Sequence, residues 1–289
     1  MICFCRKEEP VALAPEEKWI DAGPFRTRYL EAGRPDAPTV LLLHDGAWGG
    51  ASSVTWSDII PRLAEHYHVL APDMLGFGGS DKVVFVDRAQ YQPRMRQMKW
   101  LLEALGIAEP IHVAGNSFGG SLALKALADG KTLAIRSVTS ICGTGGAWKG
   151  DASPAELPHW DGTENDLRRI VELLIDADSP VFEAQLAERL KWASDPGHYR
   201  AVKAVSTPLP ASLVRARRVD EWPRELEGIA TPVMLVAGKR DVLLQPYWPE
   251  RLRTALPHAR VEIMDSRHSP NIDQGDLVAA VLLDFFGGC

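Results

Sequence analysis

The chain has 289 residues, room for one large α/β domain or one domain with a small insertion. Hydrophobic residues make up 46% and charged residues 24%, the mix of a soluble globular protein, and the formal net charge of −6 argues against a nucleic-acid binder, which carries a basic face. No run reaches the ~18 apolar residues of a membrane span, and the apolar start Met1–Cys5 is cut off by Arg6 and Lys7 before the roughly 7–15 residues of a secretory core.

In chain order, short apolar runs alternate with helical periodicity, the pattern of a mostly parallel sheet flanked by helices. The strands expected are Phe25–Leu30, Thr39–His44, His68–Pro72, Ile111–Gly115, Ser137–Cys142, Val233–Ala237 and Arg260–Met264. Several, such as Thr39–Leu43, are continuously apolar, as when both faces are buried. Met98, Leu101, Leu102 and Leu105 form one helical stripe that Gly106 ends, and Val278, Val281, Leu282 and Phe285 repeat the spacing near the C-terminus. Between Trp148 and Trp222 the alternation stops. Leu167, Ile170, Val171 and Leu174 keep helical spacing there, broken by Pro-rich stretches at Ser153–Pro158 and Ser206–Pro210. The expected organisation is therefore a core formed by residues 1–147 and 223–289, with a helical cap at 148–222 inserted between two strands.

Cys3, Cys5, Cys142 and Cys289 read as reduced thiols of a cytoplasmic protein, Cys142 as a buried one. No His/Cys cluster has metal-ligand spacing and no glycine fingerprint cradles a phosphate, so neither a metal nor a dissociable cofactor is expected.

The strongest chemical motif is Gly115-Asn116-Ser117-Phe118-Gly119-Gly120, which follows the apolar Ile111–Ala114 and opens a helical stretch. This is G-x-S-x-G in its strand-turn-helix context, where flanking glycines permit a strained turn that exposes the serine hydroxyl. A Gly-rich turn with an N-capping serine is the plainer alternative. A serine hydroxyl needs a base to take its proton. Of the eight histidines, His268 follows the last strand in a polar loop and closes the chain order Ser, Asp, His. Asp241, after Val233–Ala237, is the acid expected to brace it, with Asp265 as the rival. The loop His44-Asp45-Gly46, followed by Ala47-Trp48-Gly49-Gly50, is placed to supply an oxyanion hole from the N–H groups of Gly46 and Phe118.

Together these motifs resemble the α/β-hydrolase superfamily over nearly the whole chain. Thr27–Gly33, Ala71–Asp81 and Gly115–Gly120 resemble, more narrowly, the meta-cleavage-product hydrolases, which split C–C bonds in aromatic degradation. The resemblance implies a 2-hydroxy-6-oxo-dienoate substrate, a cap arginine at Arg189 that binds its carboxylate, and Asn116 as a residue holding substrate near the nucleophile. The chain departs from that pattern at Asp45, where the family has Gly, and also at Trp48, Thr55 and Ser269-Pro270-Asn271. Two other readings stand beside it: a carboxylesterase, lactonase or amidase using the same triad, and a non-catalytic ligand-binding protein on the hydrolase scaffold. The expected partner is a small molecule, anionic if the resemblance holds. Nucleic acid and membrane are not expected, and association as a homodimer stays open.

Overall fold

The computed structural model describes residues 14–85, 90–204 and 221–289. Cys3, Cys5 and the break at Ser206–Pro210 lie outside the described residues. An eight-stranded sheet runs in the order β1-β2-β4-β3-β5-β6-β7-β8. Its strands are β1 (Glu16–Ala22), β2 (Phe25–Ala32), β3 (Thr39–Leu43), β4 (His68–Pro72), β5 (Ile111–Asn116), β6 (Ile135–Ile141), β7 (Val233–Gly238) and β8 (Arg260–Met264). β1, β2 and β4 pair antiparallel, and every other neighbour pair is parallel.

The apolar run of β3 shows why the sheet is sandwiched. Leu41 and Leu43 point into one buried layer with Met98, Leu101 and Leu122. Val40 and Leu42 enter the opposite layer with Ile60, Leu63 and Leu282. Alternate side chains of a strand face opposite sides, so one continuous apolar segment fills two cores. The first layer is roofed by α3 (Tyr91–Ala104) and α4 (Phe118–Asp129), which come after α1 (Ser52–Trp56) and α2 (Ile60–Leu63) in the chain.

Between β6 and β7 the described residues form α5 (Ala152–Glu156), α6 (Glu164–Leu174), α7 (Phe182–Ala193) and α8 (His198–Lys203). Thr163 starts α6 by accepting the Asp166 N–H at 3.2 Å, satisfying one donor of the open first turn. The stripe Leu167, Ile170, Val171 and Leu174 meets Phe182 and Leu186 of α7 in a third apolar cluster, which Trp48, Leu243 and Ile272 join from the sheet-bearing part. The chain ends with α9 (Trp248–Arg253), α10 (Pro270–Asp273) and α11 (Gly275–Gly287). No helix among the described residues is long and apolar enough to cross a membrane.

β1 is a strand that apolar periodicity did not predict. Its sequence, Glu16-Glu17-Lys18-Trp19-Ile20-Asp21-Ala22, is largely exposed and sits at the sheet edge, where charged side chains guard against pairing with another chain. The register of the central strands brings the carboxyl ends of β3, β5, β7 and β8 toward one end of the sheet, where loops of such folds converge.

Candidate active site

Ser117 sits between β5 and α4 at φ 56°, ψ −112°, a backbone conformation costly for a residue with a Cβ. Its N–H donates to the Ile141 carbonyl at 2.7 Å, tying the turn to the end of β6. The flanking glycines are sterically required. A Cβ on Gly115 would lie 2.2 Å from the Gly119 carbonyl carbon, and one on Gly119 would lie 2.2 Å from the Leu43 carbonyl oxygen. The elbow is wedged between β3 and its own helix.

The structure brings Ser117, His268 and Asp241 together. The Ser117 hydroxyl is 2.7 Å from His268 Nε2, and His268 Nδ1 is 2.7 Å from Asp241 Oδ2. The other carboxylate oxygen of Asp241 accepts the Leu243 N–H at 2.8 Å, which fixes its plane. His268 is almost fully buried, so the relay is shielded from bulk water. Asp265 is engaged elsewhere, by Arg240 Nε at 2.8 Å on the surface.

The loop after β3 is held from both sides. His44 Nε2 accepts the Met74 N–H at 2.9 Å, so its proton is on Nδ1, which donates to the Asp45 carbonyl at 2.6 Å. His198 acts in the same way: Nε2 accepts the Gly49 N–H at 3.1 Å while Nδ1 donates to the Gly76 carbonyl. Burial lowers the pKa of both, keeping them neutral in these roles, with His198 down at about 4. Gly46 and Phe118 both line the cavity at Ser117, and a Cβ on Gly46 would fall 2.8 Å from Phe118 Cβ, so the two segments abut beside the serine.

That cavity, of about 380 Å³, has Ser117 and His268 in its wall and is otherwise mainly apolar, with Trp48, Phe77, Phe118, Leu157 and Leu243 among its lining residues. Such a space suits a small molecule with an apolar body.

Asn116 and Arg189 stand elsewhere, contrary to the substrate contacts expected from the resemblance: neither lines the cavity. The Asn116 amide reaches the carbonyls of Ile141 (3.3 Å) and His268 (3.2 Å), and its oxygen accepts from the Ser269 hydroxyl at 3.0 Å. It positions the histidine loop against the elbow. Arg189 is fully buried in a bidentate pair with Asp45, Nη2 to Oδ2 at 2.8 Å and Nη1 to Oδ1 at 3.1 Å. Burial alone would raise the Asp45 pKa. The Arg189 charge and hydrogen bonds outweigh it and hold the carboxyl at about 2. The carboxylate that Arg189 grips is thus the protein's own.

Two residues stand at the site that the sequence does not assign to it, although Cys142 is buried as its apolar run implies. Cys142 follows β6 at φ 49° and packs against Asp241 and His268, all three ligand-type atoms lying within 4.8 Å of one another. Burial, and then the neighbouring Asp241, pushes its thiol well up, so it stays protonated. A metal would need the thiolate, and the imidazole and carboxylate atoms are already committed to the relay, so the trio suits a hydrogen-bonded acid better than a metal. The second is Arg94, a buried guanidinium in the cavity lining. It lies on α3 three and four residues before Gln97 and Met98, on the buried face. A cation at a core-facing position of an amphipathic helix is the available signal.

Comparison with known proteins fits this geometry. The sequence model of the alpha/beta hydrolase family matches residues 40–281. The 2-hydroxy-6-oxo-6-(2'-aminophenyl)hexa-2,4-dienoic acid hydrolase of Metapseudomonas resinovorans is 27% identical over 235 residues, 78% of this chain and 74% of that one. Lipase 1 of Psychrobacter immobilis is 28% identical over 259 residues, 87% and 77% of the two chains. Among solved structures, the 2-hydroxy-6-oxo-6-phenylhexa-2,4-dienoate hydrolase of Rhodococcus sp. strain RHA1 superposes with a TM-score of 0.82 over 95% of this chain and 99% of that one, at 24% identity.

Proposed function

The chain belongs to the α/β-hydrolase family and is a serine hydrolase by type, and from that premise we propose that it cleaves a C–C bond in a 2-hydroxy-6-oxo-dienoate, with Ser117 as nucleophile, His268 as general base and Asp241 as its brace. The observation that carries the reading is the unbroken hydrogen-bond relay opening into an apolar cavity. The relatedness to a dienoic acid hydrolase supports the substrate class.

In this reading the substrate's dienol first becomes a ketone. The Ser117 oxygen then attacks the 6-oxo carbon while its proton passes to His268 Nε2. Negative charge gathers on the former carbonyl oxygen, where the N–H groups of Gly46 and Phe118 receive it. Collapse breaks the C–C bond, and the departing carbon leaves as a 2-hydroxydienoate that takes the proton. Water, deprotonated by His268, hydrolyses the acyl-serine to a carboxylic acid. Helices α5 to α8 act as the cap that covers the cavity.

A second reading, ester, lactone or amide hydrolysis by the same residues, is favoured by one observation: Arg189 is already engaged by Asp45, and a neutral acyl substrate asks for no cation. One spectrophotometric screen separates the two by pairing coloured dienoates with nitrophenyl esters of graded chain length. We expect a dienoate to bleach far faster than any ester is released, and Ser117→Ala to lose turnover by about 10⁴-fold or more. Ester release outpacing dienoate bleaching would assign the second reading. Absence of fluorophosphonate labelling at Ser117 would reject both and leave a ligand-binding protein.

A further inference from the structure

This chain buries Arg28, Arg94 and Arg189 to within a few per cent of full coverage, and it treats them differently. Arg28 is paired with Asp73 at 2.8 Å and Glu17 at 2.6 Å. Arg189 is paired with Asp45. Arg94 has no carboxylate partner among the described residues. Its hydrogen bonds go to neutral oxygens: Nη1 to the Gln90 carbonyl (2.9 Å) and side chain (2.8 Å), and Nη2 to the Leu75 carbonyl (2.7 Å). Nε is buried without a partner, and a guanidinium has five N–H donors to place. Its remaining company is aromatic, with the central carbon 5.2 Å from the Phe118 ring and 5.7 Å from that of Phe77.

We propose that Arg94 is the anion-binding residue of the cavity, receiving a carboxylate carried by the substrate. The side chain lines the same cavity as Ser117 and His268, and it packs on Phe118, the residue that follows the nucleophile. A buried charge is costly unless paired; among the described residues no carboxylate pairs Arg94, and a ligand carboxylate in the cavity would do so. Burial draws the Arg94 pKa down to about 10, which still leaves the group charged at neutral pH. The planar fork of a guanidinium matches the two oxygens of a carboxylate bidentately, a geometry a bare halide cannot offer. The placement also sets an orientation. The carboxylate end of the substrate lies against Phe118 and Phe77, and the apolar remainder extends toward Trp48 and Leu157.

The proposal rests on the hydrolase reading, so its test uses binding rather than turnover. Ser117→Ala protein is titrated calorimetrically with benzoate and with benzamide, its neutral isostere. Benzoate is expected to bind about 10- to 100-fold more tightly. Adding Arg94→Met should erase that preference while leaving benzamide binding in place. In the nitrogen NMR spectrum of the unaltered protein, the Arg94 Nε–H resonance should move with benzoate and stay still with benzamide, a readout that survives if the variant does not fold. Equal affinities for the two probes, a benzoate preference that persists without Arg94, or a stationary resonance would each overturn the assignment. Failure of the hydrolase reading shows separately, as a protein that is not labelled at Ser117 but still prefers benzoate.

Discussion

For the Ser117 hydroxyl to lose its proton to Nε2, His268 must carry its own proton on Nδ1, and the 2.7 Å contact with Asp241 enforces that tautomer. An asparagine at 241 could keep the Leu243 N–H bond through its oxygen and turn its amide nitrogen toward Nδ1. The imidazole would then hold its proton on Nε2, where it faces the serine and cannot accept. We expect Asp241→Asn to fold normally and to lose about 10⁴-fold in kcat, with fluorophosphonate labelling of Ser117 slowed in parallel. A variant within tenfold of the unaltered protein would remove Asp241 from the relay. Cys142 does not substitute for the carboxylate, because its buried thiol is held protonated.

At the scale of elements, the loop after β3 is the junction on which the site depends. Asp45 accepts the Ala47 N–H at 2.9 Å and the Thr55 hydroxyl at 2.8 Å, and it pairs with Arg189 of α7. One side chain thus links the loop beside Ser117, α1 and a helix lying between β6 and β7. Breaking such a buried pair from one side leaves an uncompensated charge. Arg189→Met and Asp45→Asn should each destabilise the fold by about 3–5 kcal/mol, judged from urea midpoints. The double variant should be less destabilised than the two losses added, since neither charge is then stranded. Strict additivity would show that the pair is not coupled. This junction also marks what could be read from the sequence. The elbow, the late aspartate and the C-terminal histidine are each announced by a strand immediately before them, so local pattern located them. The Asp45–Arg189 pair joins positions 144 residues apart, and no local pattern registers it. In the sequence Asp45 stands as a departure from the family pattern and Arg189 as a match to it, when physically each explains the other. β1 escapes local pattern for the opposite reason: an edge strand satisfies its backbone on one side only and can carry charge in place of apolar alternation.

Across the whole molecule, buried neutral histidines and a buried ionised aspartate set how the fold responds to acid. Burial takes His112 and His198 down to about 4, with Arg136 and Lys82 respectively as the next contributions. Unfolded histidines titrate near 6.5. As pH falls from about 6.5 to 4, the unfolded chain therefore takes up protons that these two refuse while folded, and stability declines through that window. His198 adds a structural reason, because protonating Nε2 would face a donor against the Gly49 N–H. Below about 4 a second stage follows. Asp45, ionised in the fold down to about 2, would be protonated in the unfolded chain near 3.8, so its contribution of roughly 2 kcal/mol is lost between those values. Urea midpoints measured from pH 8 to pH 3 should be level above about 7 and then fall, at up to about 1.4 kcal/mol per pH unit for each histidine. His112 lies between the rings of Tyr67 and Phe286, at 5.7 and 4.7 Å, with Nδ1 2.7 Å from the Ser137 hydroxyl, so a phenyl ring would keep the ring packing and lose that hydrogen bond at every pH. His112→Phe should shallow the decline between pH 6.5 and 4 and leave the lower stage unchanged. A decline of unaltered slope in that variant would mean His112 is not excluded from protonation in the fold, and the buried His44 and His198 would then carry the upper stage.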